Sequence, residues 1–274
     1  MDDDKKNLIR KHYRQEAEKD GNSPLSTMAD QVVREKEVEL IKGFLGMVRR
    51  KISVDTMRIL DAGCGNGYTL EVLHALGPSF SFYGLEFTDE MLEIARNRNL
   101  AGCVLDHGDI ISTHYEDCYF DVVYTERCLI NILDSEEQQT AIREIARILK
   151  PSGYYLMIEG FIDGLANNNK ARREMGLEED INPAYHNLYF DKDQLFPAIR
   201  HIFQVVHPVE IDAAMGEYLA PSNFLSSHYF IARILHPLIT KGEWVRNTEF
   251  VKFFSFLPPI GNYAPIKAYI LKKL

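Results

Sequence analysis

The segment Arg58-Ile-Leu-Asp-Ala-Gly-Cys-Gly-Asn-Gly-Tyr68 constrains this chain more than any other. A short apolar run ends in Asp61, and glycines follow at 63, 65 and 67 before a helical pattern begins. Glycine reaches backbone conformations closed to other residues and lets a ligand approach the main chain closely. The start of a helix adds N–H groups that have no partner within the helix. A strand, a glycine loop and a helix in that order predict the first unit of an open α/β sheet, with a ligand crevice at its carboxyl edge. Spacing narrows the ligand. The dinucleotide pattern G-x-G-x-x-G needs glycine at the position Tyr68 occupies, which argues against a nicotinamide-dependent oxidoreductase.

Alternating elements continue from that point. Apolar runs at 57–60, 80–85, 103–105, 119–124 and 154–158 read as buried strands, separated by helical patterns near 66–76, 89–97 and 135–149. Ser135 and Gln138 form a capping-box pattern, and Lys150-Pro-Ser-Gly153 closes the last helix. Repeated strand–helix units predict a mainly parallel sheet covered on both faces. Ahead of it, residues 4–19 and 29–50 read as helices. The second carries one apolar stripe through Val38, Ile41, Phe44, Leu45 and Val48. Beyond it, a helix at 191–203, a strand at 205–211 and a last strand at 264–271 are expected. Stretches 162–190 and 213–263 are too long for simple connections and read as a substrate cap. The chain divides as 1–50 (helices forming part of a lid), 51–161 (ligand-binding core) and 162–274 (the rest of the sheet with cap insertions). All three belong to one catalytic domain.

Other positions fall at the same sheet edge. Phe82-Tyr-Gly-Leu-Glu86 is an apolar strand ending in an acid, about where a βαβ unit brings a carboxylate to a ribose. A carboxylate there accepts from both ribose hydroxyls. Phe87 and Met91 follow it and are placed to pack on an adenine, although Met91 fits the helix core equally well. Gly108-Asp109-Ile110 follows the third strand. Phe120-Asp-Val-Val-Tyr-Thr-Glu-Arg127 ends the fourth, with Thr125 and Glu126 at the polar edge.

These four motifs, in this order, resemble the class I S-adenosylmethionine-dependent methyltransferases. The resemblance implies a Rossmann-like, doubly wound, mainly parallel seven-stranded sheet with helical N-terminal and cap insertions. It implies S-adenosyl-L-methionine as cofactor, with S-adenosyl-L-homocysteine as product. Asp61 would lie near the methionine ammonium group, beside the loop Gly63, Cys64, Gly65, Asn66 and Gly67. Asp109 would accept from the adenine amino group, and Tyr13 would close over the cofactor as a similarly placed tyrosine does in related enzymes. Shorter matches at Ser26–Asp30, Thr125–Asn131 with Gln138, His186-Asn187 and Gly261–Pro265 resemble a bacterial subgroup associated with surface-polysaccharide genes. They imply O-methylation of a sugar, sugar phosphate or nucleotide-linked sugar. Other natural-product or small-metabolite O- or N-methylation stays open, as does a non-catalytic cofactor-binding subunit. No Asn/Asp-Pro-Pro-aromatic tetrad follows the fourth strand, which disfavours adenine-amino acceptors.

For a hydroxyl acceptor a base is needed, and histidine titrates near neutral pH. His186, in the first cap segment, is the first candidate, with His228 second. Arg127 would orient an anionic acceptor or the cofactor carboxylate. The chain has 274 residues and a formal charge of −9, against the basic surface that nucleic acid requires. No apolar run reaches the ~20 residues that span a bilayer, and the acidic start lacks a signal sequence. The four cysteines show no CxxC pair, so no metal site is expected and reduced thiols in the cytoplasm are. A small-molecule acceptor is the expected partner, and a homodimer stays open.

Overall fold

The computed structural model describes residues 3–178, 183–242 and 247–274. Seven strands form one sheet: β1 (Met57–Ala62), β2 (Phe80–Glu86), β3 (Val104–His107), β4 (Phe120–Glu126), β5 (Leu149–Gly160), β6 (Phe203–Val205) and β7 (Ile266–Lys273). Their spatial order is β3-β2-β1-β4-β5-β7-β6. The first five strands pair in parallel, and β7 runs antiparallel between β5 and β6. The chain leaves β1 toward β2 on one side, while β4 pairs on the other. The sheet order therefore reverses at β1/β4, where open α/β sheets bind ligands at their carboxyl ends.

The helices are α1 (Asp3–Asp20), α2 (Gln31–Lys51), α3 (Tyr68–His74), α4 (Asp89–Asn97), α5 (Ser135–Ile148), α6 (Ile162–Glu174) and α7 (Lys192–Ile199). Alternate strand residues face opposite layers, as the pleat requires. Ile59, Val122 and Leu156 pack with the α2 stripe Ile41, Phe44, Leu45 and Val48. Leu60, Val123 and Tyr155 pack with Ala141, Ile142 and Ile145 of α5 and with Leu195 and Ile199 of α7. Each such large side chain, fully buried, contributes roughly 1.5–3 kcal/mol.

Some local expectations change. The N-cap of α5 is Asp134, whose side chain accepts from the Glu136 and Glu137 amides. Gln138, far from completing a capping box, is buried and donates to the carbonyls of Leu129 and Leu188. The strand expected at 205–211 ends at Val205. Pro208 then starts a short helix to Ile211, because proline suits a helix's first turn and has no N–H for a ladder. The second long insertion is a series of short helical pieces, including a π-helical turn at Ile231–Leu235. Among the described residues no helix is long and apolar enough to cross a membrane.

Helix α1 lies across the carboxyl edge and is held mostly by charge. Lys6 pairs with Asp109 at 2.8 Å, Arg14 with Glu90 at 2.5 Å, and the Arg10 guanidinium sits 4.4 Å over the Phe87 ring. Ile9 is the one fully buried side chain that α1 contributes.

Candidate active site

A crevice opens between the carboxyl ends of β1, β2 and β4 and the underside of α1. Gly63, Gly65 and Gly67 all take positive φ, as a tight strand-to-helix turn needs. At Gly63 (φ +91°) an added Cβ would lie 2.6 Å from the Cys128 sulfur, so the glycine loop touches the turn after β4 directly. Gly63→Ala is therefore expected to add about 1–2 kcal/mol of backbone strain and about 1–3 kcal/mol of overpacking. Thermal melts check this, and a variant as stable as the wild type would show that the loop relaxes freely.

Asp61 is almost fully buried. Its Oδ2 accepts from the Tyr124 hydroxyl at 2.8 Å, while Oδ1 faces no donor among the described residues. Burial, with Glu126 nearby, pushes this carboxyl well above its usual range. Glu86, at the tip of β2, is also buried. It accepts from the amides of Gly65 and Thr88, both at 2.9 Å, and from the Thr88 hydroxyl at 2.6 Å. Of about four lone-pair sites on a carboxylate, three are used by the protein. Glu86 thus ties the glycine loop to β2 as well as facing the crevice. Asp109 lines the adjoining wall, with one oxygen on the Ile111 amide and the other on Lys6 of α1.

Two guanidiniums and two carboxylates meet behind Asp61. Arg34 pairs with Glu126, which also accepts from Thr69 at 2.8 Å. Arg127, in left-handed conformation (φ +57°), grips Glu37 through Nε at 2.9 Å and Nη2 at 3.2 Å. It further donates to Glu126 and to the Thr27 carbonyl. Burial pushes Glu37 up to about 8 against the pull of Arg127. Burial acts on Glu126 too, but Arg34 and Arg127 outweigh it and hold that acid at about 2. The two guanidiniums and two carboxylates thus form one buried ion-pair network, with Glu37 pushed up by burial and Glu126 held down by its two arginines.

A second, wider cavity adjoins the crevice and shares Tyr13, Thr27, Arg127 and Asn131 with it. The Tyr13 hydroxyl donates to Asn131 Oδ1 at 2.5 Å, and Asn131 Nδ2 reaches Asn187 at 2.8 Å. His186 lines this cavity and stacks on His12 with ring centroids 3.9 Å apart. Its Nδ1 is buried without a partner among the described residues. Burial and the neighbouring imidazole bring its pKa down to about 4.

Of the expected ligand residues, Tyr13, Asp61, Gly63, Cys64, Gly65, Glu86, Phe87, Gly108, Asp109, Ile110 and Glu126 line the crevice, as does Arg127. Several do not. Asn66 turns away to donate to the carbonyls of Gly21 and Ser23. Gly67 is the left-handed cap of α3 against Ala95. Met91 is core packing within α4, and Thr125 is sealed against the Tyr155 hydroxyl at 2.9 Å. His228 is no base for an acceptor. Both ring nitrogens are committed, to Ser255 at 2.7 Å and Asp30 at 2.9 Å, and the ring lines neither cavity. Arg127 is bound by four protein contacts, leaving little of its fork for an anionic acceptor. His186 lies outside the crevice, in the second cavity. Sequence reading missed Arg34, Glu37 and Asn131. Glu37 stands one turn before Ile41 in the α2 stripe, and a charge in line with apolar positions is the signal that marks it.

The sequence comparison settles what kind of domain surrounds the crevice: residues 59–153 match the model of a methyltransferase domain. The chain carries a methyltransferase domain. Demethylmenaquinone methyltransferase from Geobacillus sp. (strain WCH70) is 33% identical over 107 residues, which is 37% of this chain and 44% of that protein. The chain thus spans less than half the length of such curated relatives. Among solved structures, a Haemonchus contortus phosphoethanolamine N-methyltransferase 1 superposes with TM-score 0.51 at 17% identity, covering 73% of this chain and 41% of that one. A Haloferax volcanii methyltransferase solved with its Trm112 activator gives 0.50 at 18% identity, covering 72% and 77%. These two share the fold of the methyltransferase domain. S-adenosylmethionine is the cofactor of this domain class. The crevice fits it through an unpartnered buried acceptor on Asp61, the Arg34 guanidinium in its lining, and a glycine turn open to close approach.

Proposed function

We propose that this chain transfers the methyl group of S-adenosylmethionine to a hydroxyl of a small molecule in the second cavity, with a sugar, sugar phosphate or nucleotide-linked sugar as the acceptor class. The observation that carries this reading is the zwitterion match at the crevice. The Asp61 oxygen without a donor suits an ammonium group, and the Arg34 guanidinium lining the same crevice suits a carboxylate. Glu86 has acceptor capacity left for a ribose hydroxyl. The acceptor side draws on segments far apart in the chain. Ser26 to Asp30, Asn131, His186 and Asn187 all line one cavity, among the rings of Tyr13, Tyr189 and Tyr229. Amides, hydroxyls and aromatic faces together suit a polyhydroxylated molecule.

When bound, the cofactor supplies the activated methyl group. The protein contributes placement, which is worth roughly 7–11 kcal/mol of barrier when the reacting atoms are held in line. His186 is uncharged at neutral pH and its Nδ1 accepts a hydrogen bond from the acceptor hydroxyl. Its low basicity means it orients that hydroxyl and takes the proton late. Tyr13 and Asn131 form the shared wall between the two cavities and exclude water from it.

Calorimetry with S-adenosylhomocysteine tests the first half of the reading. Glu86→Ala should bind more weakly by about 1–3 kcal/mol, through loss of a ribose contact and of the Gly65 anchor; undiminished affinity removes Glu86 from the site. Turnover of radiolabelled S-adenosylmethionine with a panel of sugars, sugar phosphates and nucleotide sugars tests the second. Transfer to a lipid quinone and to none of the sugars would replace the acceptor class.

A further inference from the structure

Glu159, the penultimate residue of β5, is a charged residue in a strand otherwise buried and apolar from Tyr154 to Ile158, and it is wholly buried itself. It touches neither cavity. Its carboxylate instead accepts from three consecutive main-chain amides. Oε1 takes Cys128 at 3.2 Å and Leu129 at 3.0 Å, and Oε2 takes Ile130 at 3.1 Å. A buried carboxylate is costly unless its lone pairs are met, so three donors aimed at one acid make a built arrangement.

The turn these amides belong to is the junction of the whole site. Cys128 presses on Gly63 of the glycine loop. Arg127 leads into it from the left-handed conformation and grips Glu37 of α2. The Ile130 carbonyl accepts from Leu188 at 2.7 Å, and Asn131 holds Tyr13 of the lid and Asn187 of the cap. We infer that Glu159 is a positioning residue: by clamping the 128–130 amides it sets the wall shared by the cofactor crevice and the acceptor cavity. Burial pushes its carboxyl up to about 7, in keeping with an acid held for its geometry at some electrostatic cost.

This inference rests on the cofactor reading above, and its test separates the two. Glu159→Gln keeps the shape but turns an amide N–H toward a backbone N–H. Calorimetry with S-adenosylhomocysteine should show binding about tenfold or more weaker, the size of a lost charge-assisted contact. Amide exchange at Cys128, Leu129 and Ile130 should quicken in the same variant. Ile199→Ala, in the core at the end of α7 and away from both cavities, should lower Tm comparably yet bind like the wild type. Glu159→Asp, which reaches fewer of the amides, should fall between wild type and Gln, and replaces the Gln variant if that chain does not fold. Wild-type affinity in the Glu159 variants, while the native chain binds normally, overturns the positioning role. A native chain that binds no S-adenosylhomocysteine overturns the cofactor reading and this inference with it.

Discussion

Asp61→Asn is expected to weaken S-adenosylhomocysteine binding by roughly ten- to a hundredfold, about 1.5–3 kcal/mol for a charge-assisted hydrogen bond, while leaving the empty protein at least as stable. The two effects have opposite sign because the same group serves opposite needs. In the empty protein the acid is buried near Glu126 and Glu86, with one oxygen unmet. Asparagine keeps an acceptor for Tyr124 and cannot ionise in this buried position. A cationic ligand, in contrast, needs the carboxylate. Because burial raises the Asp61 pKa, the wild type should release protons on binding, and its affinity should climb with pH. A raised carboxyl pKa contributes stability below the unfolded value near 3.8, and that contribution is lost as pH rises through the folded value. The empty wild type should therefore lose stability over that window, and the Asn variant should not. Calorimetry in buffers of different ionisation enthalpy reads the protons. No release by the wild type would sink the ammonium role.

Arg127→Ala should cost about 3–5 kcal/mol of folding free energy, because it strips a wholly buried Glu37 of its bidentate partner and leaves Glu126 with Arg34 alone. In a chain of this size that is a fall in Tm of roughly 10 °C. Burial holds the Glu37 carboxyl above the usual carboxylate range even against the pull of Arg127, so a stranded acid there keeps its proton to higher pH than in the wild type. The deficit should accordingly widen as pH rises above 8, and melts at pH 6 and 9 measure it. A uniform loss of less than 1 kcal/mol would mean water replaces the guanidinium easily.

The sheet-edge part of the candidate crevice was legible because those residues are local to strand ends. Asp61, Glu86 and Asp109 each end or follow a strand, and a parallel sheet brings strand ends to one edge whatever the loops do. Met91 and Thr125 misled for the same reason. They stand beside the right positions, and whether a side chain turns to the crevice or the core depends on packing that spacing does not encode. The acceptor side was harder. His186 and His228 are both cap histidines, and only the tertiary fold shows that one meets a cavity while the other is locked between Asp30 and Ser255. Arg34 and Glu37 were hidden in the charged run Arg34-Glu-Lys-Glu37, which reads as a solvated face, and Glu159 at the end of an apolar strand, where pattern reading favours the hydrophobic neighbours. Each is a charged residue at a core position, the kind of local contradiction that marks a site.

The manner in which α1 is fastened has a kinetic meaning. A helix secured by Lys6, Arg14 and Arg10 and by the Tyr13–Asn131 hydrogen bond, with Ile9 alone buried, gains little from the hydrophobic effect, and its surface ion pairs are individually weak. Screening at about 1 M salt, where the Debye length shrinks to ~3 Å, loosens the three charged attachments together without touching the sheet. Ionic strength is thereby expected to set how long a ligand in the crevice stays under the helix. Fast exchange in brine and slow exchange in dilute buffer would come from one and the same folded core.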